Sequence, residues 1–185
     1  VQVQIILSDF CNHACPWCSY RMPGYSSNQR FGEVDAATGD VNNNPHRMIP
    51  FAKVIEILDD CAAMGVKAIQ FTGGGEPTVH PAHGEIMQAA LDRGMEFALV
   101  TNGAVLRDGA AEIITQAAWV RVSIDAARPE TYARMRGVQP GMFATVWRHV
   151  TTLVETKRHD ARPCVIGVGF VVTRENYREI VEATR

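Results

Sequence analysis

Five short apolar segments recur along the chain, most of them followed by polar or glycine-rich residues and then by apolar positions at helical spacing. Val3, Ile5, Ile6 and Leu7 mark the first, in a run from Val1 to Leu7 that reads as a strand and stops at Ser8-Asp9. Pro50 holds a first-turn position before Phe51, Val54, Ile55, Leu58, Cys61 and Ala62, a predicted helix that ends at Gly65. Val66 to Phe71 is predicted as a strand ending in Thr72-Gly73-Gly74-Gly75-Glu76-Pro77, with a helix from about Pro81 to Arg93 stopped by Gly94. Phe97 to Val100 reads as a strand ending in Thr101-Asn102-Gly103, Asp108 as the cap of a helix to about Ala118, and Trp119 to Ile124 as a strand ending in Asp125. Helices are predicted from Pro129 to Met135 and from Met142 to His159, then a fifth strand from Val165 to Val172. Asn176 and Glu179 have the spacing of a capping box for one more helix.

Strand and helix thus alternate, and the strands are nearly continuous apolar runs, as expected where both faces of a sheet are covered. The predicted fold is a parallel α/β sheet. Right-handed crossovers place all strand-to-helix loops on one edge, where such folds bind ligands. Tyr20 to Arg47, with Pro23-Gly24 and Asn42-Asn43-Asn44-Pro45, shows no periodicity and reads as a long loop, functional or disordered.

The 185 residues suit a single domain, and 46% hydrophobic with 21% charged residues suits a globular one. A net charge of -2 supplies no basic field for nucleic acid or an anionic membrane. Val165 to Val172, broken by Gly167 and Gly169, is far shorter than the roughly 20 residues of a spanning helix. The chain opens on a strand at Val1 with no export signal before it, and its cysteines number five, three of them within eight positions. These features predict a reducing, cytoplasmic setting and a metal site rather than a disulfide framework.

Cys11-Asn12-His13-Ala14-Cys15-Pro16-Trp17-Cys18 is a CxxxCxxC motif at the end of the first strand. Structural zinc takes four protein ligands, and no fourth Cys or His pair lies at the usual spacing. A [4Fe-4S] cluster on three cysteines leaves one iron open to an exogenous ligand. A non-catalytic iron–sulfur carrier, a zinc-stabilised binding domain and a plain barrel enzyme with incidental thiols are the rival readings.

With an aromatic, Trp17, before the third cysteine and a Gly-Gly-Glu-Pro sequence at the end of the second strand, the chain resembles the radical S-adenosylmethionine (SAM) superfamily over its whole length. The resemblance implies a (βα)6-type partial TIM barrel, of which this chain carries about five βα units, so residues 1–185 read as a C-terminally truncated core domain. It implies a [4Fe-4S] cluster on Cys11, Cys15 and Cys18, with the open iron chelated by SAM. Gly73, Gly74 and Gly75 would let the backbone approach the methionine moiety, and Glu76 would accept from its ammonium; alone, the triple glycine reads equally as a flexible turn. Asn102 is expected to contact SAM or substrate, or to be a turn asparagine. Ser123 and Asp125 look like the family's Ser-x-Asp, which contacts the ribose or the carboxylate, and Arg136 resembles an arginine that pairs with the SAM carboxylate, its alternative being a solvated helix-end cation.

The activity implied is reductive cleavage of SAM to a 5′-deoxyadenosyl radical for hydrogen abstraction from substrate, fed by an electron donor such as a flavodoxin or ferredoxin. The reading leans toward peptide modification, with small-molecule or nucleotide chemistry as the alternative; no catalytic residue is assigned. A sixth strand is expected from further C-terminal sequence, where a domain with auxiliary clusters would also lie. Val168 and Phe170 read as adenine-pocket or core residues, Cys61 and Cys164 as small buried hydrophobes, and His80 and His83 as exposed imidazoles in the loop before the second helix.

Overall fold

A computed structural model describes residues 1–21 and 47–184. All but the ends of the Tyr20 to Arg47 loop therefore lie outside the described residues. Five strands, β1 (Gln2–Ile5), β2 (Ala68–Phe71), β3 (Glu96–Thr101), β4 (Trp119–Ser123) and β5 (Val165–Gly169), form one all-parallel sheet in sequential order. The connecting helices are α1 (Phe51–Ala63), α2 (His83–Asp92), α3 (Ala110–Ile114), α4 (Pro129–Arg136) and α5 (Gly141–His159), with a short α6 (Ile180–Ala183) after β5.

Among the described residues the helices cover one face of the sheet, whereas both faces were expected to be covered. Register aligns Ile5, Phe71, Leu99 and Val120 across the sheet, and with Ile69 and Phe97 they join Val54 and Leu58 of α1, Ile86 and Met87 of α2 and Val146 of α5 in the core. Each such side chain contributes about 1.5–3 kcal/mol on full burial, enough to fix the helices to that face. The opposite face carries Gln4, Gln70, Ala98 and Trp119 in one row and Arg121 beside Gly167 in the next. Gln2 and Gln4 donate to Gln70 Oε1 at 2.9 and 3.2 Å, so the β1–β2 end of this face is polar, while Ala98 further along it is buried. β4 alternates strictly, Val120 and Val122 inward and Trp119, Arg121 and Ser123 outward, a period of two inside an apolar-looking run.

Several predicted boundaries shift for identifiable reasons. β5 stops at Gly169, not Val172, because Ile124 and Asp125 N–H groups converge on its carbonyl and Val171 N–H turns to the Asp125 carboxylate. α3 begins after Gly109, whose φ of 76° is left-handed, and Asp108 makes no capping bond. Asn176 and Glu179 form no capping box. Asn176 is fully buried and donates to the carbonyls of Asp125 and Val171, both at 2.8 Å, while Glu179 accepts from Ala127 N–H and Thr131 Oγ1 at the start of α4. No helix of the described residues is long and apolar enough to cross a membrane.

Candidate active site

One cavity of about 510 Å³ opens at the C-terminal ends of the strands. Cys11, Cys15, Cys18, Trp17, Gly73, Gly74, Gly75, Glu76, Asn102, Ser123, Asp125 and Arg136, all singled out in the sequence, line it together. Sequence reasoning missed His13 and Arg121 on the same wall, although Arg121 lies two residues before Ser123 on β4 and so shares its face.

The cysteine loop is held against two other segments by backbone contact. Gly75 N–H donates to Ser8 O at 2.7 Å and Glu76 N–H to Phe10 O at 2.9 Å. A Cβ on Gly75 would sit 2.1 Å from Phe10 O, so glycine is required there by the chain itself. Gly73 is different: its nearest atoms to such a Cβ are 3.5 and 3.7 Å away. On the other side, the end of α4 grips the loop, with Ala14 N–H on Arg136 O at 3.0 Å and Trp17 Nε1 on Met135 O at 3.1 Å. Gly137, at φ 62°, packs so closely that a Cβ would lie 2.3 Å from Ala14 O.

Glu76 is a bracket inside the protein. Its Oε1 accepts from Thr78 N–H, Thr78 Oγ1 and Thr101 Oγ1 at 3.0, 2.7 and 2.6 Å, and its Oε2 from Asn102 N–H at 2.7 Å. All four donors belong to the chain, so the carboxylate ties the ends of β2 and β3 together. Burial pushes its carboxyl up from the ordinary range, against the pull of the four donors. Asn102 likewise turns inward: Oδ1 accepts from Ala104 N–H, and Nδ2 reaches Asn12 Oδ1 at 2.7 Å and Cys11 Sγ at 3.7 Å. It is a turn asparagine that also steadies the first cysteine.

Asp125 and Arg136 form a buried ion pair of 2.7 Å. The second Asp125 oxygen accepts from Val171 N–H at 2.7 Å. Desolvation raises the Asp125 carboxyl pKa despite both partners. Arg136 is not a solvated cation; it gives one N–H to Asp125 and lies 5.8 Å from the centroid of the Trp17 ring. Ser123 is half-buried and its hydroxyl makes no hydrogen bond among the described residues. His13 is buried, and desolvation, followed by the nearby Arg136 charge, lowers its pKa to about 3.

Cys11, Cys15 and Cys18 are partly exposed and in no disulfide among the described residues, whereas Cys61 and Cys164 are buried away from the cavity, as predicted. Burial pushes the Cys15 thiol up, with Arg136 opposing. Among the described residues no three His, Cys, Asp or Glu side chains are gathered tightly enough for a single metal ion. Three cysteines line the cavity, with no fourth among the described residues that line it, a donor set that would suit a [4Fe-4S] cluster with one iron left for an exogenous ligand. His80 and His83 are buried rather than exposed: His80 Nε2 contacts Ile49 O at 3.0 Å, and His83 Nδ1 contacts His80 O at 2.9 Å. Val168 is 47% exposed and outside the cavity, while Phe170 lines it.

The family model of the Radical SAM superfamily matches residues 5–185. This chain belongs to the radical SAM superfamily. It is 28% identical over 155 residues to the probable GTP 3′,8-cyclase of Methanosarcina mazei, covering 83% of this chain and 41% of that protein. It is 32% identical over 139 residues to the tungsten-containing aldehyde ferredoxin oxidoreductase cofactor-modifying protein of Pyrococcus furiosus, covering 71% and 37%. The crystal structure of Streptococcus suis SuiB bound to S-adenosylmethionine superposes with a TM-score of 0.68 at 19% identity, over 99% of this chain and 36% of SuiB, a likeness of fold. The chain spans about two fifths of the length of the curated relatives it matches. Radical SAM proteins are enzymes that use a [4Fe-4S] cluster and SAM, and the partial TIM barrel is their fold.

Proposed function

We propose that this chain is the core of an enzyme that binds a [4Fe-4S] cluster on Cys11, Cys15 and Cys18, takes up SAM beside it and cleaves SAM reductively. The observation that carries this reading is one cavity whose lining brings the CxxxCxxC cysteines together with Gly73–Gly75. When bound, the reduced cluster supplies the electron that breaks the S–C5′ bond of SAM and yields a 5′-deoxyadenosyl radical for hydrogen abstraction. Gly73 presents open backbone to the methionine moiety, and the free Ser123 hydroxyl and the cavity face of Arg136 supply polar contacts for it. Glu76, Asn102 and Asp125 act one step back, fixing the three strand-end loops from inside. Trp17, tied to Met135 O, shields the side of the third cysteine from water. The electron comes from a donor such as a flavodoxin or ferredoxin.

Two substrate classes have support. A peptide is favoured by the likeness to SuiB, which has also been crystallised with its precursor peptide SuiA. A nucleotide is favoured by the sequence matches to a probable GTP 3′,8-cyclase and to an S-adenosylmethionine-dependent nucleotide dehydratase.

Anaerobic cluster reconstitution followed by dithionite, SAM and mass spectrometry for 5′-deoxyadenosine tests the activity, with Cys15→Ala as control. Cysteine-dependent 5′-deoxyadenosine is the expected result; wild-type yield from Cys15→Ala overturns the assignment. Added nucleoside triphosphates or peptides that accelerate SAM consumption then separate the substrate classes.

A further inference from the structure

Arg121 lines the cavity as an exposed cation whose side chain makes no hydrogen bond or ion pair among the described residues. Two carboxylates share that lining, and both have partners: Glu76 holds four internal donors, and Asp125 is bonded to Arg136 and to Val171 N–H. Register sets Arg121 against Gly167 and, two residues nearer the strand ends, Ser123 against Gly169. The Arg121 side chain leans along that diagonal, because a Cβ on Gly169 would meet its Cδ, Cγ and Nε at 3.5, 3.6 and 3.8 Å. The guanidinium is thereby carried toward the strand ends, where the cysteines line the same cavity.

Neither Gly167 nor Gly169 has the left-handed φ that would require glycine. Glycine inside a strand weakens it, and it often marks a place where a ligand or another backbone comes close. A Cβ on Gly167 would meet nothing within 4 Å, and the three atoms nearest to one on Gly169 all belong to Arg121, so the two glycines clear space along the Arg121 side chain. A guanidinium beside cleared backbone suits an oxyanion, to which it gives two parallel N–H bonds. The cofactors leave that place unfilled: a cluster on three thiolates is a net anion, and SAM, with a sulfonium and an ammonium against one carboxylate, is a net cation that offsets it. We propose that Arg121 binds an anionic group of the substrate, a phosphate or a carboxylate, and so selects anionic substrates. Arg121 is then a specificity-determining residue; the inference rests on the enzyme assignment above and adds to it the charge of the substrate.

The test uses the full chain, reconstituted anaerobically, with iron and sulfide per chain measured first and SAM then added to saturation. Phenylglyoxal labelling of arginine is followed by peptide mass spectrometry in chloride, in phosphate and in glutarate at matched ionic strength, with the exposed Arg148 as internal reference. Arg121 is expected to be labelled in chloride and protected about tenfold by phosphate or glutarate at roughly ten times its dissociation constant, with Arg148 unaffected. Protection by phosphate alone assigns a phosphoryl group, as a nucleotide would bring; protection by glutarate alone assigns a carboxylate, as an acidic peptide would bring; protection by both supports a subsite for either. Equal labelling of Arg121 in all three salts, or a slowing shared with Arg148, overturns the proposal. Labelling of Arg121 that SAM alone suppresses in chloride also overturns it, because the guanidinium then belongs to SAM. If wild type takes up no iron–sulfur cluster, the enzyme assignment itself fails, a result distinct from a loaded protein whose Arg121 no oxyanion protects.

Discussion

Arg136 and Asp125 meet at 2.7 Å with side chains 6% and 1% exposed, a charge pair sealed behind the cysteine loop. Removing one partner leaves the other charge buried without compensation, which typically costs about 3–5 kcal/mol. Arg136→Leu is therefore expected to lose that much stability in equilibrium denaturation of the chain. Because Asp125 holds a φ of 62°, Asp125→Ala adds backbone strain that Asp125→Asn avoids, and the alanine variant should be the less stable of the two.

Glu76 predicts a pH dependence of definite sign. Its four contacts are all donors, so Glu76→Gln turns an amide N–H toward the Asn102 N–H and is expected to cost about 1–3 kcal/mol. The Glu76 pKa is raised on folding, so its favourable contribution is fully present below the unfolded value of 4.5 and is lost as pH rises through the folded value. Urea titrations from acidic to neutral pH should show the wild-type advantage over Glu76→Gln shrinking as pH rises. An advantage that grows with pH contradicts a raised folded pKa.

The three glycines before Glu76 are not equivalent. Gly75→Ala puts a methyl 2.1 Å from Phe10 O and should displace the cysteine loop, seen as loss of folding or of iron uptake. Gly73→Ala meets nothing closer than 3.5 Å and should fold normally, with any defect confined to SAM affinity by equilibrium dialysis.

Only the three cysteines on the cavity should matter for iron. Substituting Cys11, Cys15 or Cys18 by alanine is expected to abolish cluster uptake, while the Cys61→Ala, Cys164→Ala double variant should bind wild-type iron, measured per chain after reconstitution.

Asn176 lies far along the chain from the site yet holds it. Asn176→Ala leaves the carbonyls of Asp125 and Val171 without their side-chain donor, an expected loss of about 1–3 kcal/mol, accompanied by faster hydrogen exchange at Val171.

The alternation of strands and helices and the residues gathered at one sheet edge were legible because glycine-rich and cysteine-rich loops punctuate apolar runs. Inward use of the site residues was not. A carboxylate at a strand end reads the same whether it faces a ligand or, like Glu76, four internal donors, because two of those donors lie 25 and 26 positions away. The Asn176–Glu179 spacing matched a local capping pattern, but tertiary donors at Ala127 and Thr131 bound Glu179 instead. The open sheet face was hidden by counting Val, Ile and Ala as apolar without weighing Gln4, Gln70 and Arg121, which share the other side. His13 carried no motif signal; only its burial and its idle nitrogens distinguish it.

The grip of α4 on the cysteine loop also sets an order of events during synthesis. Cys15 Sγ contacts Arg136 O across 121 residues of sequence, and Gly137 seats on Ala14. At ~5–20 residues per second a ribosome takes about 6–24 s to add that stretch, so the three thiols emerge long before the helix end that covers them. Nascent chains halted short of Gly137 should therefore react faster with alkylating agents than chains extended past it. For that interval the growing polypeptide depends on the reducing power of its surroundings, not on its own architecture, to keep these three thiols unoxidised.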